Sequence, residues 1–199
     1  LNIDNSPSLP AHKFNLPIIK DTMIKDELKI LRGTIQVHKD LIFKNKVTIK
    51  PGTNFLIGKG VNIIFLNSVH ALGTNDKPII FKKMNDAYLD NNWGSIVVQG
   101  QKTKNSKFQN IIINGGSGGK VDQFIYTSMF SLHDTRDIIL KNISLIDNKI
   151  YDDALHLVYC KNILLENILI KNAFSDALDI DISDGIFIKN SIFLNPNND

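Results

Sequence analysis

Apolar and polar residues alternate in short runs along most of the chain, and the runs repeat. Residues 137–145 (Asp-Ile-Ile-Leu-Lys-Asn-Ile-Ser-Leu) are echoed by residues 162–170 and again by residues 185–193. In each copy an apolar group leads through one polar residue to an asparagine, and a second apolar group follows. The asparagines Asn142, Asn167 and Asn190 lie 25 and 23 residues apart. A more distant copy places Asn110 in residues 106–113, 32 residues before Asn142. The extra length falls in the loop around Gly115-Gly116-Ser117-Gly118-Gly119. A second repeated run lies between these copies. Residues 153–158 (Asp-Ala-Leu-His-Leu-Val) match residues 176–181 (Asp-Ala-Leu-Asp-Ile-Asp). Residues 129–133 fit one coil earlier, and residues 94–98 one coil before that.

A recurrence of ~20–25 residues built from short β-rich runs predicts a solenoid, in which each repeat buries its apolar face only by stacking on its neighbours. The runs are too short for helices, are rich in Ile, Leu and Phe, and are punctuated by Asn, Asp and Gly. The Leu-x-x-Leu-x-Leu frame of leucine-rich repeats is absent. Parallel strands stacked ~4.8 Å apart would set each asparagine above the last. Asparagine tolerates left-handed backbone geometry, so a ladder through one turn accounts for its recurrence. The predicted fold is therefore all-β, a parallel β-helix. Residues 34–83 read as further coils with less regular turns, and residues 84–93 and 101–106 as outward loops. Asp21 to Leu31 is expected to hold one short helix covering the open N-terminal end, where strand backbone is otherwise unpaired. This divides the chain into an N-terminal segment and cap, residues 1–33, and a β-helix, residues 34–199. No C-terminal cap is visible in the sequence. The next coil would begin at Asn195, so the β-helix is expected to continue beyond Asp199.

Composition narrows the partners. The balance of 23 basic and 20 acidic residues gives a net charge of +3, with no basic block, which speaks against nucleic acid. Apolar residues make up 43% of the chain but form no stretch long enough to span a bilayer. The first ten residues lack the charged-then-apolar layout of a secretion signal. Cys160 is the single cysteine, so no intrachain disulfide framework exists.

Residues 48–53 (Thr-Ile-Lys-Pro-Gly-Thr), 71–74 (Ala-Leu-Gly-Thr), 93–98 (Trp-Gly-Ser-Ile-Val-Val), 152–155 (Asp-Asp-Ala-Leu) and 175–181 (Ser-Asp-Ala-Leu-Asp-Ile-Asp) occur in that order. Together they resemble bacterial right-handed parallel β-helix proteins of the pectin-lyase-like superfamily. The subgroup they look most like is sometimes joined to a spore-coat-H-like kinase module. The resemblance covers about residues 30–199. The Ser-Asp-Ala-Leu-Asp run is its most specific part, and His156 stands where the subgroup commonly carries Asn. The resemblance implies a right-handed helix, carbohydrate as the partner, and a secreted or cell-envelope location. It assigns no activity.

Alternation along a strand sorts the candidate residues. With Leu155, Leu157, Leu178, Ile180 and Ile182 inward, His156, Asp179 and Asp181 point outward, and Ser131 and His133 join them one coil earlier. Asp152, Asp153 and Asp176 fall in the turn before this face. Asp179 and Asp181, two residues apart, have Cα atoms ~6.5–7 Å from each other. That suits an inverting glycosidase pair, with His156 relaying a proton or binding substrate. A lyase would also need positive charge against a uronate, which Arg136 and Lys161 in equivalent turns can supply. The expected catalytic set is thus Asp179, Asp181 and His156. The expected substrate-binding set is His133, Ser131, Asp153, Asp176, Arg136 and Lys161. Clustered carboxylates can instead hold calcium, and His156 with Asp179 and Asp181 a metal, although no compact ligand motif is present. Plain solvation of an exposed acidic sheet, and turn capping by Asp153 and Asp176, are the structural alternatives. Trp93 is expected to pack rather than to stack a sugar. Three functions follow: a polysaccharide-binding or scaffold domain of a larger protein, a polysaccharide lyase or glycoside hydrolase, or a structural spacer.

Overall fold

The computed structural model describes residues 28–84 and 92–194. Within them the chain winds as a parallel β-helix. The first coil holds β1 (Lys29–Leu31), β2 (Thr34–Val37) and β3 (Leu41–Phe43). The second holds β4 (Val47–Ile49), β5 (Asn54–Ile57) and β6 (Ile63–Phe65), and the third β7 (Val69–Leu72), β8 (Ile79–Lys83) and β9 (Ile96–Gln99). A 3₁₀ turn at Gln101–Thr103 leads into the fourth coil. That coil comprises β10 (Lys107–Asn114), a hairpin of β11 (Gly119–Val121) and β12 (Phe124–Tyr126), and β13 (Ser128–His133). The later coils are β14 (Arg136–Ile146) with β15 (Asp153–Val158), then β16 (Lys161–Lys171) with β17 (Leu178–Asp181), and last β18 (Asp184–Lys189) and β19 (Ile192–Leu194).

Three faces result. The first sheet stacks β3, β6, β9, β13, β15 and β17 in parallel. The other two faces share their long strands. The first half of β10 pairs with β7 and its second half with β8, because the strand bends at Asn110. β14 and β16 bend likewise at Asn142 and Asn167, and β18 and β19 pair separately with the two halves of β16. The bend residues Asn110, Asn142, Asn167 and Asn190 have φ of 51°, 55°, 55° and 49°. This is the left-handed region that asparagine enters more readily than other side chains. Their amides form the expected ladder. Asn167 Nδ2 donates to Asn142 Oδ1 at 2.8 Å, Asn142 Nδ2 to Asn110 Oδ1 at 2.8 Å, and Asn110 Nδ2 to the Gly73 carbonyl at 2.9 Å. Two shorter ladders hold neighbouring corners, Asn162 to Asp137 at 3.1 Å and Asn172 to Asp147 at 2.8 Å.

The core runs through the middle of the coils as columns in register. Ile63, Ile96, Phe130 and Leu155 form one, and Phe65, Val98, Leu132 and Leu157 another; all are buried. Stacked rings at Phe55 and Phe81, 4.4 Å apart, continue the same logic on a second face. Each such side chain removed from water contributes ~1.5–3 kcal/mol. Trp93 is buried and donates its indole N–H to the Asn114 carbonyl at 2.8 Å, so it packs as expected.

The N-terminal helix expected over Asp21 to Leu31 is corrected at its end. Lys29–Leu31 form a strand paired in parallel with Val47–Ile49, so the coils begin ahead of residue 34. Stacking of Leu31 on its register partner Ile49 in the core favours the strand over a helix there. Residues 21–27 lie outside the described residues, as do most of the expected 84–93 loop and the chain after Leu194. No described helix is long and apolar enough to cross a membrane.

Candidate functional site

The outward surface of the first sheet changes character along the coils. Register places Ile42, Ile64, Val97, Ser131, His156 and Asp179 in one outward row. The apolar beginning of that row is covered. The β11–β12 hairpin, antiparallel from Gly119↔Tyr126 to Val121↔Phe124, lays Tyr126, Phe124 and Val121 against Ile64 and Val97. Tyr126 is anchored by its hydroxyl, which donates to Gln99 Oε1 at 2.7 Å, and burial pushes that phenol up to about 12. Beyond the hairpin the row turns polar and opens.

At this boundary His156 sits among three carboxyl groups. Its Nε2 lies 3.5 Å from Asp179 Oδ2 and 3.3 Å from Asp181 Oδ2. Its Nδ1 lies 3.7 Å from Asp153 Oδ2 and 3.3 Å from Thr127 Oγ1. The His156 side chain is 13% exposed, against 39% for Asp179 and 57% for Asp181, so the two carboxylates form the rim and the imidazole the floor. The three residues expected as catalytic are therefore adjacent. His133 completes the floor, edge-on to His156 with ring centroids 5.6 Å apart, and flanked by Tyr126 at 5.5 Å and Phe124 at 6.0 Å. Burial first, then the charge of His156, pushes His133 down to about 4, so it stands there as neutral imidazole.

Two expected contacts are corrected. Ser131 does not reach an open surface. It is fully buried between Val97 and His156, and its hydroxyl is shared with Ser128 Oγ at 2.6 Å. Asp153 is not an exposed turn residue: it begins β15 and is 2% exposed. Burial, chiefly, raises its carboxyl to about 7; the neighbouring Asp152 and Asp179 add to the effect, and His156 and the Thr127 hydroxyl oppose it. Its Oδ1 is shielded from solvent and accepts no hydrogen bond. Asp176 is half-buried beside Asp152 and Asp153, their carboxylate oxygens within 4.8 Å of one another. Arg136 and Lys161 are register partners on the adjacent face, where they meet Asp137 at 3.8 Å and Asp184 at 3.8 Å rather than the histidines. Cys160 is buried, its thiol raised to about 12 by burial, and it donates to the Leu132 carbonyl, so it offers no nucleophile.

Thr127 and the aromatic pair Phe124 and Tyr126 join the site without having been expected. The visible signal was an insertion, 32 rather than 25 residues between ladder asparagines, that carries two aromatic residues. A shallow cleft on another face, lined by Lys107, Ile139, Leu164 and Phe187 among others, shares no residue with this site.

The fold and site together define a parallel β-helix with a histidine–carboxylate floor beside an aromatic hairpin. No protein-family model, no curated protein and no solved structure matches the chain.

Proposed function

We propose that the chain is an extracytoplasmic polysaccharide-binding β-helix domain, with a glycan lying on the open end of the first sheet against the hairpin. The observation that carries it is the placement of hydrogen-bonding groups next to aromatic surface. Asp179 and Asp181 rim a floor of His156 and His133, and Phe124 flanks that floor, 6.0 Å from His133. Sugars are bound by such pairing of a few fixed polar groups with an apolar ring face. How tightly the carboxylates converge speaks against the inverting arrangement of a hydrolase. Asp179 and Asp181 both face one nitrogen, so those oxygens are no further apart than 3.5 and 3.3 Å laid end to end. An inverting pair needs ~6.5–9.5 Å to admit a water, so the two sit at the short end of that range or below it.

The alternative, a lyase or glycoside hydrolase, is supported by one feature: the Asp153 carboxyl, held at about 7, can carry a proton at neutral pH beside His156. A panel of uronate-rich and neutral polysaccharides separates the two functions. Binding is followed by calorimetry, and products by reducing ends and by absorbance of unsaturated uronates. A glycan that binds without turnover, and less well to Asp179→Asn and Asp181→Asn, is the expected result. Product formation abolished by those substitutions would make the chain an enzyme. Failure of every glycan to bind would remove carbohydrate from the account.

A further inference from the structure

The β11–β12 hairpin is anchored at both ends and docked in between. At its base the buried Ser117 hydroxyl donates to Asn148 Oδ1 at 2.6 Å and accepts the Ile150 and Tyr151 N–H groups at 2.7 and 3.0 Å. At its far end Ser128 is already in the sheet, paired with Asp153. Between these anchors, Val121, Phe124 and Tyr126 rest on Ile64 and Val97, and the Tyr126 hydroxyl bonds Gln99. Gln99 is the register partner of His133, so the docked hairpin sets both of its rings edge-on to the His133 imidazole. The hairpin itself thus helps to keep that ring from water. His133 Nε2 is buried and has no hydrogen-bond partner among the described residues. The titratable groups facing the ring are Tyr126 from the hairpin, a neutral phenol, and His156 from β15, so neither brings a negative charge. A proton on His133 would leave a buried cation with no counter-ion and an N–H with no acceptor.

We propose that the β11–β12 hairpin is an acid-released lid on the first sheet, undocked when His133 takes up a proton. With the hairpin docked, burial first and then His156 hold His133 at about 4; with it lifted, the ring meets water and returns towards an ordinary 6.5. A histidine lowered in the docked state favours docking above 6.5 and loses that contribution as pH falls towards 4. One proton is taken up on release. The ratio of undocked to docked hairpin therefore grows about tenfold per pH unit across this window, and about 300-fold in all. Release bares Ile64 and Val97 and draws Phe124 away from the histidine floor. The lid needs no sugar in order to open, so it stands or falls apart from the glycan-binding function.

The test is amide hydrogen exchange of the full chain between pH 4 and 7, read as protection factors so that the intrinsic pH dependence of exchange is removed. Protection of residues 119–126 should fall about tenfold per pH unit below 6, while that of β14 and β16 holds. His133→Phe keeps a ring against Phe124 and Tyr126 but takes up no proton, so its hairpin protection should stay level over the same range. A reciprocal readout follows His133 itself by imidazole ¹⁵N spectra. In the unsubstituted chain the ring should stay neutral well below 6.5, and Tyr126→Ala, which removes the bond to Gln99 and one flanking ring, should bring its midpoint back towards 6.5. Three results overturn the proposal: hairpin protection that stays level in acid or falls only together with β14 and β16, the same selective fall in His133→Phe, or a His133 midpoint that Tyr126→Ala leaves unmoved. A fall that persists in His133→Phe and disappears in His156→Gln would also overturn it and make His156 the group that titrates.

Discussion

Replacing Asn142 separates the two things an asparagine does at a corner of this helix. Its side chain donates to Asn110 Oδ1 and accepts from Asn167 Nδ2, each at 2.8 Å, and its backbone sits at φ 55°. Two intramolecular hydrogen bonds contribute ~0.5–1.5 kcal/mol each, or ~1–3 kcal/mol together. A β-carbon without a compensating local hydrogen bond adds ~1–2 kcal/mol of strain in the left-handed region. Asn142→Ala should therefore cost ~2–5 kcal/mol. Asn142→Gly loses the same bonds but no strain arises; its looser unfolded chain costs ~0.4–1 kcal/mol instead. Glycine should thus be the milder change, by up to ~1.6 kcal/mol. Urea unfolding at 25 °C, with all three proteins sharing one m value, measures the differences. An alanine variant within ~0.5 kcal/mol of the parent would show that the ladder contributes nothing. An alanine variant more stable than the glycine one would show that the corner is not left-handed.

Acid should act on two buried groups with opposite signs. His133, at about 4 in the folded chain against an ordinary 6.5, contributes stability present above 6.5 and lost as pH falls towards 4. Asp153, at about 7 against an ordinary 3.8, contributes stability present below 3.8 and lost as pH rises through 7. Urea midpoints taken from pH 4 to 8 with chelator present should therefore become less acid-sensitive in His133→Phe, and should lose their decline towards pH 7 in Asp153→Asn. Profiles parallel to the parent's would refute both assignments. In the core, Leu155→Ala should cost ~2–5 kcal/mol, because Leu155 is wholly buried in its column and leaves a cavity. Leu164→Ala, on the outer side of β16, should cost far less, so equal losses in the two variants would invert the assigned faces.

The coil was legible because the same few residues recur at each corner. Asn110, Asn142 and Asn167 stack and hydrogen-bond as their spacing requires, and inward Leu155 and Leu157 put His156 outward as alternation requires. Asp179, Asp181 and His156 were therefore grouped correctly in space from strand register alone. Ser131 and Asp153 were misplaced in depth. Register names the side of the sheet a residue leaves, but not what folds over that side.

The sequence by itself determined the stacking of coils, the asparagine ladder and which residues point into the core. Parallel stacking needs only a pattern that repeats after one turn, and such a pattern is written locally. Only the tertiary structure decided how much of the outward face stays open. The insertion between Gly115 and Thr127 lies outside the recurring runs, so no periodicity encodes where it lies. Its hairpin comes to rest on Ile64 and Val97, burying apolar surface that the sheet would otherwise expose, and its aromatic residues then border the His133 imidazole. Burial on that side of the sheet, and with it the opposed shifts of His133 and Asp153, follows from side-chain packing between segments distant in the chain, which no single run of residues contains.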